Sequence, residues 1–214
     1  MINVDLISTG PIAVAMTVDD LVLWDGTPVP DGYTSRSISE GMAATFNDAR
    51  ITGVYAFAHT SPIQRDPQAR ATFEAWVDGG HHLGNHTHNH APLNWVDADT
   101  YCREIDTAEK YIGDLIERAP QRYFRYAMDM PGPSEARRGR VEDHLRANGY
   151  TNAPITTWFG DFAFLVSYYR ALTTGNREAA QMLRKSYVQA ALFTSPTTPP
   201  PHAPCSAGTS RTSS

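Results

Sequence analysis

From Ile12 to Val18 the chain reads Ile-Ala-Val-Ala-Met-Thr-Val and then stops on two adjacent aspartates, Asp19 and Asp20. A near-continuous apolar run of this length fits a strand covered on both faces, as in a parallel sheet, better than a strand with one wet face. The rest of the chain alternates strand and helix signals. Residues 39–50 read as a helix capped at Ser37 or Ser39, and Gly53–Ala58 as a second strand. Residues 67–78 read as a helix stopped by Gly79 and Gly80. A short strand through His82–Gly84 follows. The spacing of Tyr101, Ile105, Ala108, Ile112 and Leu115 predicts the longest helix over 97–118. Tyr123–Tyr126 reads as a strand, 134–147 as a helix stopped by Asn148 and Gly149, and Tyr150–Thr157 as a strand. Helices are expected over 161–173 and 177–192, with the aromatic stretch Phe162–Tyr169 in the core. Strands alternating with helices imply an α/β fold with a mainly parallel sheet.

With 214 residues the chain is long enough for one sizeable core. Residues 1–193 are expected to form that domain. From Thr194 the composition turns to Pro, Ser and Thr, which cannot bury enough apolar surface to order itself, so 194–214 is expected to be a disordered tail. Lys and Arg number 18 against 23 Asp and Glu, a net charge of −5. That balance argues against nonspecific nucleic-acid binding and against docking on an anionic membrane. Two cysteines, Cys102 and Cys205, exclude a disulfide scaffold and a multi-cysteine zinc cluster. No run of about 18 apolar residues suggests a membrane span. The start, Met1–Asp5, lacks the basic-then-apolar pattern of a signal peptide. A cytoplasmic protein is expected, or an envelope one if the natural start lies elsewhere.

Of eight histidines, His81, His82, His86, His88 and His90 fall within ten residues. His86 and His90 are spaced i, i+4, which on a turn of helix aims both imidazoles to one side. Neutral imidazole pairs suit zinc-type ions, although a His-rich surface segment without metal fits the spacing equally. A catalytic metal site usually takes a third protein ligand and keeps a position open for water. The Asp19–Asp20 pair, at a strand's C-terminal end, is the natural donor. One carboxylate can ligate while the other serves as general base; a solvated turn or helix cap is the plainer alternative.

Taken together, these segments resemble the polysaccharide deacetylases, the NodB-homology or carbohydrate esterase family four group. Thr17-Val18-Asp19-Asp20 resembles the first motif and Gly84-Asn85-His86-Thr87-His88-Asn89-His90 the second, a His-Ser/Thr-x-x-His metal site. Phe124-Arg125-Tyr126 resembles the third, and Gly149-Tyr150 with Ala153–Thr156 the lead-in to the fourth. The resemblance covers roughly residues 12–165. It implies a distorted (β/α) barrel with one divalent metal at its mouth, zinc first, with cobalt, nickel and manganese also compatible. Asp20, His86 and His90 would be the ligands. Asp19 would be the general base, oriented by Arg125, and the backbone N–H of Tyr126 would help hold the oxyanion. The implied partner is an acetylated glycan and the implied reaction removal of its N-acetyl group, with O-acetyl esters a close variant. Trp24, Tyr33 and Trp95 would either stack on a sugar ring near the mouth or pack in the ordinary way. His82 and His88 receive no role.

Two positions and one missing motif depart from the family pattern. Ala127 stands where a proline is common, and Trp158 stands where the fourth motif has an acid, although Asp161-Phe162 matches its second half. The final Leu-His strand has no counterpart, since His202 sits among prolines, so no catalytic acid is assigned. These departures imply a barrel incomplete at its C-terminal end and weak activity. Their alternative is an impaired carbohydrate- or metal-binding protein of the same fold.

Overall fold

The computed structural model describes residues 13–21, 27 and 29–194. They fall into two compact units, one of residues 13–156 and one that includes residues 157–194.

In the first unit five parallel strands form one sheet in the order β1-β2-β3-β4-β5: Thr17–Asp19, Tyr55–Ala58, His82–Asn85, Tyr123–Phe124 and Thr151–Asn152. Each strand adds beside its predecessor, with helices in every crossover. That sequential order is the order of a (β/α) barrel; a doubly wound sheet reverses direction part-way. The helices are α1 (Ser35–Asp48), α2 (Ser61–Arg65), α3 (Arg70–Asp78), α4 (Ala98–Ile116) and α5 (Glu135–Ala147).

Local chemistry sets the helix ends. Thr34 and Ser37 form a reciprocal capping box, so α1 begins four residues before the expected 39. Pro67 starts a 3-10 turn, Pro67–Ala69, which delays α3 to Arg70. Asp97 accepts from Thr100 N–H at 2.8 Å and starts α4. The face of α4 predicted from spacing is the buried one: Tyr101, Ile105, Ala108, Ile112 and Leu115 all lie in the core. Ser134 caps α5, and Gly149 follows it in a left-handed conformation.

The first strand differs from its expectation. Only Thr17–Asp19 pair, with β2, and Ala13–Met16 lie outside the ladder. Val14 is 51% and Met16 48% exposed. With these side chains half exposed, the apolar run is not covered on both faces; among the described residues β1 is also an edge strand. The strand expected over Tyr150–Thr157 is likewise only Thr151–Asn152.

In the second unit a 3-10 turn, Asp161–Phe164, leads into α6 (Leu165–Thr173), which packs with α7 (Arg177–Thr194). The aromatic stretch expected in the core is not buried there. Phe162 is 67% and Val166 69% exposed. A near-continuous apolar run puts side chains all round a helix, and the seam that α6 shares with α7 buries only one side of it. The expected tail, with His202 and Cys205, lies outside the described residues apart from Thr194, the last residue of α7. The start and Trp24 also lie outside them. Among the described residues no helix is long and apolar enough to cross a membrane.

Candidate metal centre

The C-terminal ends of β1 to β4 point one way, and each delivers a polar residue there. Asp19 ends β1 and Asp20 follows it. His59 follows β2, His86 follows β3 and Arg125 follows β4.

Asp20, His86 and His90 each offer one ligand atom, and these atoms lie within 4.8 Å of one another. The Nε2 atoms of His86 and His90 are 3.2 Å apart, and His90 Nε2 lies 3.5 Å from Asp20 Oδ1. The Nδ1–H of His86 donates to the Arg125 carbonyl at 2.8 Å. That bond fixes the tautomer and turns the Nε2 lone pair toward His90, as a ligating imidazole requires. Burial pushes the pKa of both histidines down to about 4, so both are neutral at neutral pH. The donor set therefore fits a divalent ion in geometry and in protonation state.

Convergence of His86 and His90 does not come from a helix, as the i, i+4 argument expected. Residues 86–90 form a loop. Thr87 (φ 69°) and His90 (φ 55°) are left-handed, as is Asp20 (φ 56°). Left-handed residues cannot continue a right-handed helix. Side chains hold the loop instead. Asn85 Oδ1 accepts from Thr87 N–H at 2.9 Å, and Thr87 Oγ1 accepts from His90 N–H at 3.1 Å. Glu104 accepts from the Asn89 N–H at 2.7 Å. His88 faces away from the ligands: it pairs with Thr60 Oγ1 and Gln64 Oε1 and stacks on Tyr111. His81 is buried between Val54 N–H and the Ala43 carbonyl. His82 lies beside the ring of Tyr55.

Beside this cluster Asp19 Oδ1 accepts from Arg125 Nη1 at 2.6 Å. The same Nη1 reaches Thr17 Oγ1 at 2.9 Å, and Arg125 Nε donates to the Ala153 carbonyl at 2.9 Å. The guanidinium lies over the Phe57 ring, 3.9 Å from its centroid. Arg125 is thus buried and held through Nε, Nη1 and its ring contact. Burial raises the Asp19 pKa above its ordinary value, and the Arg125 ion pair opposes this without cancelling it. Asp20 goes the other way: burial opposes its ionisation, but the hydrogen bond from His59 and the neighbouring histidines hold its carboxyl below the usual range.

Tyr126 is buried, with its ring stacked on Tyr101. Its backbone N–H donates to no carbonyl among the described residues. Tyr33 and Trp95 are exposed, Trp95 at 69%, so ordinary core packing does not account for them. Sequence reasoning passed over His59. It is fully buried, and its Nδ1 lies 3.0 Å from Asp20 Oδ1. A lone histidine in Ala58-His59-Thr60 carries no spacing signal; only its place just past a strand's C-terminal end marked it.

Comparisons with known proteins give the family and the fold. The family model described as polysaccharide deacetylase matches residues 7–151. No curated protein matches the chain in sequence. Among solved structures, the polysaccharide deacetylase Bc1974 from Bacillus cereus is similar with a TM-score of 0.54 at 16% identity, over 87% of this chain and 74% of that one. A family 4 carbohydrate esterase from Streptomyces lividans has a TM-score of 0.49 at 19% identity, over 70% of this chain and 66% of that one. The family 4 carbohydrate esterase PdaA from Bacillus subtilis has a TM-score of 0.46 at 20% identity, over 69% and 54%. The matched part of the chain thus spans less than two thirds of these last two structures. The likeness to Bc1974 identifies the five-stranded parallel sheet as the deacetylase fold, a distorted barrel.

Proposed function

The chain belongs to the polysaccharide deacetylase family, and we propose that it is a metal-dependent hydrolase removing the acetyl group from N-acetylated sugars of an oligo- or polysaccharide. The observation that carries this reading is the juxtaposition of two sites on one Asp-Asp pair. Asp20 completes a three-donor cluster with His86 and His90, while Asp19, its neighbour, is held by Arg125.

Asp20, His86 and His90 hold the metal in this reading, with zinc the first expectation. A bound divalent ion lowers the pKa of water toward about 7 and polarises a carbonyl. The remaining work falls to the chain. Asp19 accepts the proton of the attacking water on its carboxylate. Its raised pKa makes it a better base than an exposed aspartate. Arg125 fixes the orientation of Asp19 and is itself immobilised by Thr17, Ala153 and Phe57. The Tyr126 N–H is a donor in reserve for the oxyanion of the tetrahedral intermediate. Trp95 and Tyr33 offer aromatic faces to a sugar ring. The leaving amine takes its proton from solvent as the C–N bond breaks and acetate departs.

A second reading is a protein of the same fold that binds its ligand with little turnover. It is favoured by Trp158, which stands where the resemblance calls for an acid and is exposed against Phe162. Acetate release separates the two. Metal-loaded protein is expected to release acetate from chitooligosaccharides, and acetylated xylan tests the ester variant. Chelator is expected to abolish release. Asp19→Asn is expected to lower it by about 10²–10⁴-fold, the usual worth of a general base, while retaining the metal. Metal binding with no release from either substrate would favour the second reading.

A further inference from the structure

Each member of the Asp19–Asp20 pair has its own buried partner, and the partners differ in kind. Asp19 faces a guanidinium, a permanent cation. Asp20 faces an imidazole, His59, whose Nδ1 lies 3.0 Å from Oδ1. We propose that His59 is a positioning residue for the ligating carboxylate. In this role its Nδ1–H holds Asp20 Oδ1 in place and so sets the affinity of the centre for a divalent cation. This rests on the reading of Asp20, His86 and His90 as a metal centre.

Three observations carry it. First, His59 is rigidly placed where it is needed. It follows β2, the strand between β1 and β3, and its ring is fully buried. The next two N–H groups, Thr60 and Ser61, donate to the His88 carbonyl at 3.2 and 2.9 Å. The segment carrying His59 is therefore tied to the loop carrying His86 and His90. Second, Asp20 needs such a partner. Its backbone N–H is fixed to the Phe57 carbonyl at 3.1 Å, but its side chain is partly exposed and would otherwise rotate. Third, the chemistry of the donor suits a ligand. A guanidinium would neutralise the carboxylate and compete with the metal. An imidazole N–H orients one oxygen and leaves the negative charge for the ion. His59 is not part of the mutually close donor set, so it acts from outside it. Such outer partners typically contribute 10–100-fold to metal affinity.

The test is a competition titration of the full chain with Zn²⁺ and with Co²⁺ against a chromophoric chelator. Wild type is compared with His59→Leu, which removes the donor, and His59→Asn, whose side-chain amide nitrogen sits where Nδ1 does. His59→Leu is expected to bind metal about 10–100-fold more weakly, and His59→Asn to recover most of that loss. The visible bands of the Co²⁺ protein are expected to keep their position in His59→Asn, because the ligands are unchanged. Should His59→Leu not fold, as read by circular dichroism, His59→Gln replaces it: its donor lies one bond too far and should not restore affinity. Affinity within twofold of wild type in His59→Leu, or in its His59→Gln replacement, overturns the proposal. A Co²⁺ band shift in His59→Asn overturns it too, by making His59 a ligand. If wild type itself binds neither ion, the metal-centre reading fails first, and that arm identifies the failure.

Discussion

At the scale of single residues, the site is built by pairing groups whose protonation states are set by what covers them. Burial lowers both His86 and His90 to about 4 in the metal-free chain. In the unfolded chain a histidine titrates near 6.5. Between those values the unfolded chain binds protons that the folded chain refuses, so stability rises with pH through the window. It is lost as pH falls from about 6.5 toward 4. The slope is at most about 1.4 kcal/mol per pH unit for each histidine. In the presence of chelator, the urea midpoint of wild type is expected to fall between pH 7 and pH 5. The drop should be steeper than in a chain carrying His86→Asn and His90→Asn. Parallel slopes would assign the acid sensitivity to other groups. The Asp-Asp pair and the two histidines were visible in the sequence because their chemistry is crowded into short segments. Which partner each aspartate takes was not visible to local reading, because those partners, Arg125 and His59, lie 106 and 39 residues away.

At the scale of elements, one glycine couples the sheet to the site. Gly84 pairs with Phe57 across β2 and β3. A Cβ at position 84 would meet the Phe57 ring at 2.6 Å and the Tyr123 carbonyl at 2.9 Å. Both contacts are too short for a real Cβ, so the ring must move and the β4 backbone must give as well. That ring is the surface on which the Arg125 guanidinium lies, and Arg125 in turn orients Asp19. Gly84→Ala is therefore expected to cost about 1–3 kcal/mol of stability and to lower acetate release more than the loss of folded protein explains. An unchanged thermal midpoint, or activity that tracks the folded fraction alone, would break this link. Periodicity identified α4 and its buried face correctly because a nineteen-residue helix supplies many turns of pattern. It overstated β1 and β5, three and two residues long, because short strands take their limits from neighbours. It also expected His86 and His90 to converge through a turn of helix; their Nε2 atoms do converge, at 3.2 Å, but through a loop. The i, i+4 spacing is satisfied by a loop whose turns are set by Asn85 and Thr87.

At the scale of the whole molecule, a metal at this centre would staple elements that the sheet joins weakly. β1 is held by a three-residue ladder to β2 alone among the described residues, and Asp20 extends directly from its end. His86 and His90 belong to the far side of β2, following β3. Coordination by all three would close β1 onto β3 across the intervening strand. Ligand binding to the folded state alone stabilises it by about 2.7 kcal/mol at a hundredfold excess over Kd. For a chain of this size that is about 5–10 °C in thermal midpoint. The stapling should be local as well as global. Hydrogen exchange at residues 17–20 is expected to slow on adding zinc, and more than exchange in α5, which packs on α4 and β5. In Asp20→Asn both the midpoint shift and the added protection should shrink together, because the connection to β1 runs through that carboxylate. A midpoint that rises with zinc while residues 17–20 exchange as before would mean that the histidines bind metal without Asp20. The arrangement of two imidazoles and one carboxylate would then have to be abandoned.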